Sequence, residues 1–118
     1  MEQSALATAD GPAAIDRRHL DRMTFGDRGL EQEVLRLFDR QSELLLARMR
    51  GGDAAAVGAL AHTLKGSASG IGAGEVARAA LGVEQAAGSA GEVSAAIDRL
   101  AEAVDAARAL IAELLREG

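Results

Sequence analysis

The sequence predicts an all-α fold: an up-down antiparallel four-helix bundle with a short additional N-terminal helix. Three observations carry that expectation. Apolar residues recur at three-and-four spacing along most of the chain, and the segments that keep this rhythm are separated by short punctuation rich in Gly and Asp. Ala and Leu dominate while aromatic residues make up only 2 %, a composition that suits thin, closely packed helices and disfavours sheet. Short connections between long amphipathic helices make sequential neighbours antiparallel, which closes four of them into a bundle.

Residues 1–11 show no periodicity and read as a flexible lead-in, and Pro12 suits the first turn of a helix that opens the domain at 12–118. A short helix is expected over about 13–23. A long one follows over roughly 28–50, on the recurrence of Leu30, Val34, Leu37, Phe38, Leu45 and Met49, and Gly51-Gly52 stops it. Asp53 is the expected N-cap of the third helix, about 54–69, whose rhythm runs through Val57, Leu60, Ala61, Leu64, Ala68 and Ile71 until Gly70 and Gly72 interrupt it. A fourth helix is expected over about 73–88 with Val76, Ala80, Val83 and Ala87 inward; Gly74 and Gly82 inside it predict a helix that is short, bent or unusually tightly packed. A fifth helix carries Val93, Ile97, Leu100, Val104, Ile111 and Leu114 inward to the C-terminus.

The chain is 118 residues long, which suits one domain with one core. Its formal net charge of -5 disfavours a surface that follows nucleic-acid phosphates or anionic lipid. With no cysteine and only His19 and His62, disulfides, thiolate metal sites and a histidine cage are excluded. No basic cluster precedes an apolar run at the N-terminus, and no apolar run is long enough to span a bilayer, so a cytoplasmic protein without membrane or nucleic-acid partners is expected.

The third helix separates two kinds of residue. At about 100° per residue, with Leu60 at zero, the apolar residues fall in a sector centred near 50°, roughly opposite Gly58, His62, Lys65, Gly66 and Ser69, which cluster near 190°. An exposed imidazole is largely neutral near pH 7, so a ring nitrogen has a lone pair with which to attack an electrophile; the plain alternative is a surface histidine. Lys65, one turn along, can offset negative charge arriving on that ring, and it is the sole lysine among 13 basic residues. Gly66 costs about 1 kcal/mol relative to Ala in an exposed helical turn, and its place away from the core points to the close approach of a partner. Gly58 offers the same clearance one turn before the histidine, and Ser69 either bonds a partner or caps the helix.

The run Ala61-His62-Thr63-Leu64-Lys65-Gly66-Ser67-Ala68, followed by Ile71-Gly72-Ala73, resembles the signature of histidine-phosphotransfer (HPt) domains. Gly26-Asp27, Leu37-Phe38, Gly52-Asp53 and Val83-Glu84 are also similar to that family, and the likeness covers about residues 13–115. It implies a two-component phosphorelay protein in which His62 accepts a phosphoryl group from a receiver phosphoaspartate and passes it to another receiver aspartate. Lys65 then stabilises the phosphate, Gly66 leaves room for the docking receiver, and Glu84 orients the imidazole by hydrogen bonding. The implied partners are response-regulator receiver domains and a hybrid histidine kinase, Mg²⁺ belongs to the receiver, and the protein acts as a monomeric phosphocarrier with no kinase or ATP site of its own.

Three other readings meet the same residues. The glycine-rich run Gly66–Gly74 lacks a preceding apolar strand, and Lys65-Gly66-Ser67 is in the wrong order for a nucleotide-binding Gly-Lys-Ser/Thr loop. A histidine-kinase dimerisation hairpin is also helical with an exposed His, but needs an ATP-binding domain. A non-catalytic helical interaction module, in which His62 is incidental, is the remaining alternative.

Overall fold

The computed structural model describes residues 14–89 and 91–117, all of whose regular structure is helical. The expected lead-in over 1–11 and the helix start at Pro12 lie outside the described residues. Five helices follow one another: α1 (Arg17–Met23), α2 (Arg28–Gly51), α3 (Ala54–Ile71), α4 (Gly74–Gly88) and α5 (Val93–Glu117). In the bundle α3 packs on α2 and α4, α5 packs on the same two, and α1 lies on α3, so α3 and α5 are diagonal partners. This is the four-helix bundle with an extra N-terminal helix that the periodicity predicts.

Three aspartates start three helices. Asp16 accepts from the amides of Arg18 and His19, Asp27 from Leu30 and Asp53 from Ala56, each offering a carboxylate to donors that have no intrahelical acceptor. The Asp16 cap corrects the first helix, which begins at Arg17 rather than near 13; the preceding Ile15 is fully buried outside any helix. The end of α3 also differs. Helical backbone continues through Gly70 to Ile71, and Gly72 at φ +82° then closes a Schellman motif: its own N–H donates to Ser69 O at 3.3 Å and that of Ala73 to Ala68 O at 2.8 Å.

The core face of α2 is Leu35, Phe38, Ser42, Leu45 and Met49, whereas Leu30 and Leu37 of the expected rhythm are exposed. The buried positions alternate steps of three and four with a serine among them, and the Ser42 hydroxyl is satisfied by the carbonyl of Asp39 at 3.1 Å. A sequence reading that follows only large apolar side chains passes over that position. Along α3, Val57, Ala61, Leu64, Ala68 and Ile71 are buried and Leu60 is half-buried at the edge of the sector. The fourth helix is uninterrupted for 15 residues, and a Cβ placed on Gly82 would meet nothing within 4 Å. The expected tight packing at Gly82 is therefore absent, and nothing in the structure explains that glycine.

Ion pairs stitch α2 to α5 on the far side of the bundle: Arg108 reaches Asp39 at 2.7 Å and Glu43 at 3.6 Å, and Arg50 reaches Asp98 at 3.1 Å. Hydrogen bonding to Asp39 holds the Arg108 guanidinium still more firmly protonated than usual. Among the described residues no helix is long and apolar enough to cross a membrane.

Candidate functional site

His62 stands on the outer side of α3, its side chain 68 % exposed. Because α3 and α4 run antiparallel with small residues such as Ala61, Ala68 and Ala80 buried in the core, a side chain on α4 can lie across from the histidine. Glu84 does so. Its Oε2 is 2.9 Å from His62 Nδ1, and its Oε1 accepts from Lys65 Nζ, also at 2.9 Å. His62 and Lys65 are three residues apart and therefore neighbours on one helix face. A single carboxylate thus joins them, one oxygen to each.

The geometry fixes where the ring proton sits. An ionised carboxylate only accepts hydrogen bonds, so the contact requires the proton on Nδ1, which leaves the Nε2 lone pair free in the neutral ring. Among the described residues nothing bonds Nε2. The Glu84 carboxyl is held below the usual glutamate range, chiefly by the Lys65 hydrogen bond; partial burial opposes this and the contact with His62 adds to it. Since the folded-state value is depressed, the support this carboxylate gives the α3–α4 seam is complete above the ordinary glutamate range, about 4.3, and disappears as pH falls through the depressed value.

The stripe predicted from the helical wheel is graded rather than uniform. His62, Gly66 and Ser69 are exposed, whereas Gly58 and Lys65 are half-buried, because α4 covers that edge of α3. A Cβ at Gly66 would meet no atom within 4 Å, so nothing inside the molecule needs the glycine. At Gly58 a Cβ would rest 3.8 Å from that of Ala87, an ordinary contact, so packing does not demand glycine there either. Gly58 borders an open groove that runs from His62 between the start of α3 and the end of α4, walled by Ala54, Ala55, Ala59, Ala87 and Gly88. Ser69 lies about two turns from His62 and opens on a different recess, beside Asp16, His19 and Arg78. The structure therefore gathers His62, Lys65 and Glu84, leaves Gly66 and Gly58 beside them, and keeps Ser69 apart.

Sequence reasoning assigned no role to His19, whose Nε2 lies 3.1 Å from the Gly70 carbonyl and ties α1 to the end of α3. It also missed the direct bond from Lys65 to Glu84. Opposite charges at these positions were the available signal, but their meeting depends on how far α4 slides along α3, which spacing within one helix does not reveal. Among the described residues no three His, Cys, Asp or Glu side chains are grouped so as to hold a metal ion.

The Hpt domain family model matches residues 28–116, which takes in α2 to α5 and every residue of the site. No curated protein matches the sequence. Among solved structures, the chain is similar to the histidine-containing phosphotransfer protein B (HptB) of Pseudomonas aeruginosa PAO1, with a TM-score of 0.81 and 24 % identity over 89 % of this chain and 96 % of that one. That likeness establishes the bundle with its extra helix.

Proposed function

This chain belongs to the Hpt-domain family, the histidine-phosphotransfer modules of phosphorelays, and from that premise we propose that His62 carries the phosphoryl group. The observation that carries the assignment is the contact between Glu84 and Nδ1, which leaves Nε2 as the nucleophilic nitrogen on an exposed ring. The Nε2 lone pair attacks the phosphorus of a receiver's aspartyl phosphate, the bond from phosphorus to the aspartyl oxygen breaks, and the aspartate departs as a carboxylate. The Nδ1 proton remains on the ring. Attack by a second receiver's aspartate on the same phosphorus reverses these changes and restores the neutral imidazole.

Each neighbour has a task in this proposal. Glu84 holds the ring in one tautomer and orientation, which is worth most when the reacting atoms must come within about 3–3.5 Å. Lys65 supplies the positive charge for the phosphoryl oxygens. The open space over Gly66 and the groove beside Gly58 admit the receiver's surface to that distance. A Mg²⁺ ion held by the receiver would supply charge neutralisation for the phosphoryl group; this chain contributes the nucleophile, the orienting carboxylate and the ammonium. The protein acts as a cytoplasmic monomer, receiving from a response-regulator receiver or that of a hybrid kinase, without a kinase or ATP site of its own.

A panel of phosphorylated receivers tests the assignment. Transfer should place an acid-labile, base-stable phosphate on the wild-type protein, ATP alone should place none, and His62→Gln should lose labelling entirely. Normal labelling of His62→Gln would overturn the choice of residue, and labelling by ATP alone would point to a kinase-type bundle.

A further inference from the structure

We infer that Glu84 and Lys65 form a charge handover that sets how long a phosphoryl group survives on His62, an inference that rests on His62 being the acceptor. The Glu84 carboxylate is divided between a standing cation, the Lys65 ammonium on Oε1, and the Nδ1–H of His62 on Oε2, whose ring becomes cationic only when phosphorylated. Bonding of phosphorus to Nε2 while Nδ1 keeps its proton leaves the ring positively charged. It also places a phosphoryl dianion within reach of the flexible lysine stem one turn away. The ammonium then has a better partner than the shared carboxylate. When Lys65 turns to the phosphoryl oxygens, the whole charge of Glu84 falls on the ring that has just become cationic.

The surroundings make this pair decisive. On α3 the charged group beside His62 is Lys65, and on α4 it is Glu84; the groove walls are Ala and Gly with Thr63. Of the other charges on packed elements, Glu75 and Arg78 of α4 pair with each other, Asp39, Glu43 and Arg50 of α2 with α5, and Asp16 of α1 caps its own helix; among the described residues no ion pair of α1 or α2 reaches His62, Lys65 or Glu84. His19 of α1 sits on Gly70, beyond two helical turns from His62.

The proton on Nδ1 decides the lifetime because it decides the leaving group. A phosphoryl group departing from a ring protonated at Nδ1 leaves neutral imidazole behind, whereas departure from the deprotonated ring would leave imidazolate, a far poorer leaving group. A carboxylate against Nδ1–H keeps that proton in place to higher pH than an unassisted phosphoimidazole would. Glu84 therefore keeps the carrier ready to discharge, and Lys65, by letting go of Glu84 only after phosphorus has arrived, confines the full effect to the loaded form.

Glu84→Gln separates charge from shape, since the amide oxygen can still accept from Nδ1–H while the negative charge is lost. The protein would be loaded with phosphoramidate, which needs no receiver, and followed by ³¹P and imidazole ¹⁵N resonances against pH. Glu84→Gln should move deprotonation of the phosphorylated ring down by about one pH unit or more, and lengthen the phosphohistidine half-life about tenfold at pH values between the two midpoints. The Lys65 Nζ resonance should shift on loading of the wild type and stay fixed in His62→Gln. An unchanged midpoint and half-life in Glu84→Gln would overturn the role of the carboxylate, and an unmoved Lys65 resonance in loaded wild type would overturn the handover. Uptake of phosphate by His62→Gln equal to that of the wild type would instead overturn the acceptor assignment itself, a result distinguishable from the other two.

Discussion

Gly66 and Gly72 lie six residues apart at the middle and the end of the same helix, and they are glycine for opposite reasons. A Cβ on Gly66 would meet no atom within 4 Å beyond its own stretch of helix. A Cβ on Gly72 would sit 2.9 Å from the carbonyl oxygen of Asp16 and 3.2 Å from the Cβ atoms of Asp16 and His19, on a backbone already in the left-handed region at φ +82°. The Asp16 amide donates to the Gly72 carbonyl at 2.8 Å, so α1 is seated directly on this turn. The end of α3 is shaped by what the chain itself packs there; the middle is shaped by space left for something outside it.

The sharpest way to break this contrast is Gly66→Arg. The substitution should hold or raise stability, by up to roughly 0.8–1 kcal/mol of helix propensity, yet lower transfer from a receiver by about 100-fold or more, equivalent to about 2.7 kcal/mol of barrier. Gly66→Ala should fall between. Melting temperature and transfer rate measured together decide it: an unfolded Gly66→Arg would mean the glycine serves internal packing, and normal transfer would mean the docking face is misplaced.

Gly72→Ala should do the reverse. Left-handed backbone strain and the clash with Asp16 should cost about 2–3 kcal/mol in denaturant unfolding, with faster amide exchange in α1, while transfer per folded molecule stays close to wild type. A neutral Gly72→Ala would show that α1 is not held against the turn. The smallest effect is expected for His19→Ala, which removes the ring contact with Gly70 and should cost about 0.5–1.5 kcal/mol, again without slowing transfer. Slowed transfer in this variant would erase the division between the two parts of α3.

The same division explains what was legible beforehand. The Gly and Asp punctuation marked the breaks between helices because it works locally: Asp53 caps α3 as expected, and Gly51-Gly52 ends α2. The start of α1 was misplaced because Asp16 supplies the cap and residues 14–16 precede the helix, and the end of α3 because Gly72 closes the helix only after Gly70 and Ile71 have joined it. In α2 the heptad-spaced Leu30 and Leu37 resembled a core stripe, while the true stripe runs through a buried serine. At the site, His62, Lys65 and Gly66 were readable as one face of one helix. The shared carboxylate was only half readable: Glu84 was expected at the imidazole, but its bond to Lys65 arises from the register of α4 on α3.

The scarcity of aromatic residues has an experimental consequence. With no Trp or Tyr and two Phe, the chain is almost dark in the near ultraviolet, and its two imidazoles stand nearly alone in the aromatic region of a proton spectrum. One imidazole lies on the Gly70 carbonyl where α1 is seated, the other on Glu84 at the nucleophilic site. The protein thus carries two built-in reporters, one for loosening of its N-terminal helix and one for the chemical state of its carrier nitrogen, readable in the same sample without a label.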